Sequence, residues 1–182
     1  MNNYYIKTYN NVLDVDFCNQ LIDFFEEHSE HHEKEYLEGC YSFTQVKLQL
    51  HKEWEYFSKN LESVFISLLA KYIIDLKIDR NRFPEKYGFE VFRMKRYLPN
   101  NGDQFKSHVD VLDHMTAKRF LVFFMYLNDN KGGDTVFPEF DIKVKPKVGK
   151  VLIFPPLWTH YHAGLKPIKT PKYIVGSYLH YV

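Results

Sequence analysis

The stretch FKSHVDVL (Phe105–Leu112) holds His108 and Asp110 one residue apart, and FPPLWTHYHAGLKPIKTPKY (Phe154–Tyr173) holds His160 and His162 at the same spacing. In an extended strand, residues i and i+2 share a face, so the first stretch offers two corners of a metal site. A histidine from the second would complete a two-histidine, one-carboxylate set. That set holds Fe(II) with open positions for a co-substrate and O2. It leaves the ion with a net positive charge, which suits an anionic chelating acid. Strand alternation sends His160 and His162 to the same face and leaves the choice between them open. Lys172 lies ten residues after His162 and twelve after His160. A hairpin of that length can return its ammonium beside the metal. A buried lysine needs an anion, and the far carboxylate of a chelated dicarboxylic acid is one.

These residues need strands to carry them. The chain has 182 residues, enough for one domain with a sizeable core, and 18 % of them are aromatic, with 16 Phe and 14 Tyr. Flat, stiff side chains suit pleated sheets. From Tyr87 on, short strand-like runs alternate with Gly, Asn and Pro turn signals, among them FEVFRMKRYL, FKSHVDV, RFLVFFMYLN, THYHAGL and YIVGSYLHYV. Eight such runs predict a closed barrel or jelly roll. Ahead of them, Asp14 or Asp16 caps a predicted helix bearing Phe17, Leu21, Phe24, Phe25 and His28. A second predicted helix, from about Lys52 to Asp75, carries Trp54, Phe57, Leu61, Val64, Leu68 and Tyr72 on one stripe. His28, His31 and His32 read as a solvated surface cluster. Lys143, Lys145 and Lys147 alternate with apolar residues and read as one solvent face.

The net charge of +1 advertises neither nucleic acid nor an anionic membrane. No apolar run approaches a membrane span, and the N-terminal residues lack the pattern of a secretory leader. Cys18 and Cys40 read as buried free thiols in a reducing compartment, so the expected location is cytoplasmic.

Over roughly Tyr87 to Val182 the chain resembles the Fe(II)/2-oxoglutarate-dependent dioxygenases, and within them the prolyl 4-hydroxylase-like branch. Five ordered motifs carry the resemblance: RYLPNNGDQFKSHVD, RFLVFFMYLND, GGDTVFP, VKPKVGKVLIF and HAGLKPIKTPKY. Departures are a longer loop after Tyr97, Asp134 for the usual Glu, and Pro167 one position late. The resemblance implies an α+β, mainly β fold: a double-stranded β-helix (jelly-roll, cupin-like) core with N-terminal supporting helices. Residues 1–182 would form a single domain, with mostly helical support over 1–85 and the catalytic core over 86–182.

Carried over residue by residue, His108, Asp110 and His162 match the iron ligands, which favours His162 over His160. Lys172 matches the residue that holds the far carboxylate of 2-oxoglutarate, and Tyr97, Thr135 and Tyr126 match positions lining that pocket. Tyr178 stands where the branch commonly has Trp; with Trp158 and His160 it is a candidate for the substrate pocket. The implied cofactors are Fe2+, 2-oxoglutarate as co-substrate and O2, with ascorbate as reductant. The implied reaction hydroxylates an unactivated C–H, most readily of a peptidyl or free proline. The alternative keeps the chemistry and changes the substrate to another amino acid, a small metabolite or a modified base. The contrasting reading is a jelly-roll binding module without turnover. The partner is a small molecule or peptide, with no nucleic acid and no membrane. Gly39–Gln45 and Asp110–Arg119 are expected as loops over the barrel mouth.

Overall fold

The apolar stripes read from the sequence become two helices laid against a folded sheet. The structure, a computed structural model, describes residues 5–182; the first residues of the stretch read for a leader, 1–4, lie outside it. In chain order come β1 (Lys7–Tyr9), α1 (Val15–Glu27), β2 (Glu33–Leu37), β3 (Tyr41–Lys47), α2 (Glu55–Asp75), β4 (Tyr87–Phe89), β5 (Arg93–Tyr97) and β6 (Gln104–His108). They are followed by β7 (Arg119–Tyr126), β8 (Thr135–Phe137), β9 (Ile142–Val144), β10 (Lys150–Phe154), β11 (His162–Gly164) and β12 (Lys172–Tyr181). Asp14 caps α1 by accepting from the Asp16 amide at 2.8 Å. Among the described residues all twelve strands pair antiparallel in one sheet, ordered β1-β10-β7-β12-β5-β3-β6-β11-β8-β9, with β2 on β3 and β4 on β12.

Strand alternation divides the core in two. Met94, Phe123, Met125, Val151, Ile153 and Val175 point to one side and pack with Leu21, Phe25, Leu61 and Phe65 of the helices. Each is completely buried and contributes roughly 1.5–3 kcal/mol by leaving water. The alternate residues Val122, Tyr126, Leu152, Phe154, Tyr97 and Ile174 point to the other side and form a second cluster with Phe137 and Val144. Phe137 meets Phe154 edge-on at 4.8 Å, so β8 lies over β10 and the sheet folds back on itself. This half-barrel with two helices is the mainly β architecture expected.

Several local expectations differ. Besides its helices, the N-terminal half also supplies β1, β2 and β3 to the sheet. Gly39–Gln45 is not a free lid: most of it is β3, paired with β2 and with β5 and β6. His28, His31 and His32 are half-buried rather than solvated. His28 stacks on Phe24 at 3.8 Å, His32 on Phe25 at 4.1 Å, and the Trp54 indole donates to His31 Nδ1 at 3.0 Å. Nearby aromatic surface claimed them. Cys18 is buried and free as expected, whereas Cys40, in the β2–β3 turn, is free and exposed. Lys143, Lys145 and Lys147 do face solvent. Among the described residues no helix is long and apolar enough to cross a membrane.

Candidate metal and co-substrate site

β6 and β11 are paired so that His108 and His162 are direct cross-strand partners. Their rings lie 4.4 Å apart between centroids. Asp110 follows β6 rather than lying within it; its amide donates to the Pro156 carbonyl at 3.2 Å. That bond turns the chain so that the carboxylate returns to the rings. Asp110 Oδ1 lies 3.4 Å from His108 Nε2, and Oδ2 lies 3.7 Å from His162 Nε2. One ligand atom from each residue falls within 4.8 Å of the other two, a set that could hold a metal ion.

Hydrogen bonding assigns the proton on each ring. His108 Nδ1 is 2.8 Å from the Lys106 carbonyl, and His162 Nδ1 is 2.9 Å from the His160 carbonyl. A carbonyl only accepts, so each Nδ1 donates and each neutral ring offers its Nε2 lone pair. Both Nε2 atoms and Asp110 Oδ2 are buried with no hydrogen-bond partner. Leaving three polar atoms of this kind unpaired is costly unless a cation joins them, so the donor set fits a divalent metal. Burial raises the Asp110 carboxyl, but His162, His108 and the Tyr178 hydroxyl outweigh it and bring it down to about 2. Burial also holds the His162 ring below its ordinary value, against the pull of Asp110. Both shifts favour a carboxylate facing a neutral imidazole.

The pocket beside these atoms is lined by Tyr97, Phe124, Thr135, Lys172, Ile174 and Tyr178, among others. Lys172 sits opposite Tyr97 in the β12–β5 register, 2 % exposed. Its ammonium donates to the Gly133 carbonyl at 2.8 Å and lies 4.8 Å from the centre of the Tyr97 ring. Among the described residues it forms no ion pair. Burial pulls it down to about 7, with Asp134 opposing and Lys95 reinforcing the shift. Gly133 is required here: its φ is +67°, and a Cβ would fall 2.8 Å from Lys172 Cδ. Tyr126 donates to Thr135 Oγ1 at 2.7 Å, fixing the hydroxyl wall of the same pocket.

Tyr178 reaches the metal end. Its hydroxyl donates to Asp110 Oδ1 at 2.8 Å, occupying one carboxylate oxygen and leaving Oδ2 free. Arg119 lies over the Tyr178 ring at 4.1 Å, donates to the Asp110 carbonyl, and is clamped bidentately by Glu90 at 2.7 and 2.8 Å. Motif reading missed Arg119, Glu90, Gly133 and Lys95. Two had a legible signal: Lys95 shares strand parity with Tyr97, and Gly133 lies in the GGDTVFP motif.

Three candidates do not line the pocket; one of them, Tyr126, stands behind Thr135. His160 lies in a turn before β11, so alternation does not apply to it. Its buried ring packs between Phe140 at 5.5 Å and Phe154 at 6.5 Å; only its backbone carbonyl serves the site, through His162. Trp158 is 78 % exposed in the same turn and lines no part of the pocket.

Solved structures share this fold. The chain is similar to the viral collagen prolyl hydroxylase from Paramecium Bursaria Chlorella virus-1 in its 2OG complex, with 21 % identity, 98 % of this chain and 97 % of that one covered, and a TM-score of 0.75. It is similar to a Trichoplax adhaerens prolyl hydroxylase in complex with a hypoxia inducible factor oxygen degradation domain peptide fragment (17 %, 98 % and 84 %, TM-score 0.77). A Pseudomonas putida prolyl-4-hydroxylase is a third (14 %, 98 % and 94 %, TM-score 0.68). These likenesses establish the jelly-roll fold. No curated protein matches the chain in sequence. Residues 92–180, which hold all three ligand candidates and Lys172, match the family model of the 2OG-Fe(II) oxygenase superfamily.

Proposed function

We propose that the protein is a prolyl 4-hydroxylase-like oxygenase acting on a peptidyl or free proline, with residues 1–182 working as one catalytic domain. The superfamily implies Fe(II), 2-oxoglutarate and O2. In this reading His108 Nε2, His162 Nε2 and Asp110 Oδ2 hold the iron, and Lys172 receives the far carboxylate of 2-oxoglutarate. The observation that carries it is the pairing of three unsatisfied buried donor atoms with a buried lysine that has no counter-charge, in one pocket. Iron, co-substrate and O2 together supply the oxidising power to place a hydroxyl on an unactivated C–H.

The chain's own residues orient and exclude. The Lys106 and His160 carbonyls fix both ring tautomers, so the imidazoles need no proton movement to bind metal. Tyr178 holds Asp110 Oδ1 and leaves Oδ2 as the single donor. Lys172, at about 7, is readily protonated, and an arriving carboxylate favours the charged form. Phe124, Ile174 and Phe105 keep water from the remaining walls.

A peptide substrate is favoured by the Trichoplax relative, whose complex holds one. Ascorbate is the proposed reductant. The free thiols Cys18 and Cys40 suit a cytoplasmic location. The test is succinate release from 2-oxoglutarate with Fe(II) and O2, alongside mass spectrometry of proline-containing peptides. The expected result is peptide-stimulated succinate and a gain of one oxygen. A protein that binds iron yet forms no succinate with or without peptide is a binding module, and the reading fails.

A further inference from the structure

Lys95 enters the same pocket and has no assigned partner. It lies on β5 two residues before Tyr97, so both side chains point inward. In the sheet it faces Ile174, two residues on from Lys172 along the inner face of β12. Its ammonium sits 4.5 Å from the centre of the Phe43 ring and 5.8 Å from that of Phe105. Phe105 in turn stacks on His108 at 3.6 Å with the rings 6° from parallel. Lys95 therefore lies toward the metal end, and Lys172 closes the other. Unlike Lys172, Lys95 is only half-buried, so it faces the open side of the pocket. Among the described residues it makes no hydrogen bond and no ion pair. Aromatic faces hold an ammonium in place but leave its charge uncompensated.

A charge count points to the missing partner. A divalent ion on two neutral histidines and one aspartate keeps one positive charge. Lys172 and Lys95 bring the site to three. A 2-oxoglutarate dianion cancels two of them, with its far carboxylate at Lys172. We propose that Lys95 is a second anion-binding residue of this pocket and receives a carboxylate at its metal end. The carboxylate is either the chelating one of 2-oxoglutarate or an acidic group of the substrate. The proposal rests on the metal and co-substrate assignments above.

Binding to the Mn(II)-loaded protein separates the cases without turnover. Calorimetry with 2-oxobutanoate, which has the chelating carboxylate and lacks the far one, forms the first arm. The second is paramagnetic broadening of the acetate methyl resonance by the Mn(II)–2-oxoglutarate complex. If the co-substrate supplies the anion, Lys95→Met weakens 2-oxobutanoate binding about tenfold or more. If the substrate supplies it, 2-oxobutanoate binding is kept and the acetate effect disappears. Lys95→Arg should retain whichever effect the wild type shows, which guards against a variant that merely misfolds. Changes under twofold in both arms, or no acetate effect in the wild type together with unchanged 2-oxobutanoate binding, overturn the proposal. Lys172→Met is the control: it should weaken 2-oxoglutarate and spare 2-oxobutanoate. A wild-type protein that binds Mn(II) but not 2-oxoglutarate would take down the co-substrate reading itself.

Discussion

The two faces of strands β5, β7, β10 and β12 use the same backbone for opposite ends. On the helix side, Met94, Phe123, Met125, Val151, Ile153 and Val175 are all fully buried among apolar neighbours. On the inner side, the alternate positions place Lys95, Tyr97, Phe124, Lys172, Ile174 and Tyr178 around a pocket that also holds unsatisfied nitrogen and oxygen atoms. One face minimises free energy, while the other keeps polar atoms uncompensated for a ligand. Strand parity therefore separates residues that only pack against the helices from an inner face that carries both a second apolar cluster and the pocket, although they adjoin in sequence.

The sharpest way to break that comparison is to exchange the effects. His162→Ala removes an inner-face donor and should abolish metal binding, read by calorimetry with Mn(II), while the thermal midpoint stays within a few degrees. His160→Ala should leave the metal bound, because the atom that orients His162 is the backbone carbonyl of residue 160. Loss of metal in the second variant and not the first would reverse the assignment.

Next in size is Phe123→Ala on the helix side. Phe123 stacks on Phe65 at 4.9 Å, and its removal should cost about 3–5 kcal/mol. For a chain of this length that lowers the melting midpoint by roughly 10 °C. Affinity for 2-oxoglutarate in the folded fraction should not change.

Lys172 offers both readouts at once. Lys172→Ala should weaken 2-oxoglutarate binding by roughly 30- to several thousand-fold, the cost of unpairing a buried charge. A loss under threefold would sink the role. Its ammonium is held at about 7 in the fold against 10.5 for an ordinary lysine. A depressed lysine penalises the folded state fully below pH 7, and the penalty fades as pH rises toward 10.5. Lys172→Met should therefore raise the melting midpoint of the ligand-free protein at pH 6 and do little above pH 10. For binding the sign is opposite: apparent 2-oxoglutarate affinity should fall as pH climbs past 7, since the carboxylate needs the ammonium.

The smallest expected effect is Tyr178→Phe, which removes one hydroxyl and keeps the ring over Arg119. Losing the bond to Asp110 Oδ1 should weaken metal binding roughly tenfold, with stability nearly unchanged. An equal loss of stability would mean that the hydroxyl serves the core instead.

Much of this was legible in one dimension. Asp14 caps its helix, the Trp54–Tyr72 stripe is buried, and the run from Phe120 to Leu127 is apolar because both faces of β7 are covered. Short-range rules suffice where the pattern repeats. They failed where the chain leaves regular structure. His160 was read as a strand residue and lies in a turn. Asp110 sits past the end of β6, and its carboxylate is returned by a bond to Pro156, 46 positions away. Gly39–Gln45 was expected as a loop, yet after the Gly39 turn it is strand, paired with β2 just before it and with β5 and β6 far along the chain.

By itself, then, the sequence determined which residue types could meet a metal and an anionic co-substrate. It also pointed, through its alternating strand-like runs, to a mainly β core that carries them. Only the tertiary structure decided which atoms face one another. Register sets His108 against His162 and Lys172 against Tyr97. Backbone carbonyls choose the ring tautomers, and Gly133 makes room for the Lys172 stem. The reason is physical: side-chain identity and alternation are local properties. Register, burial and the hydrogen bonds that orient a ring depend on chain segments distant in sequence.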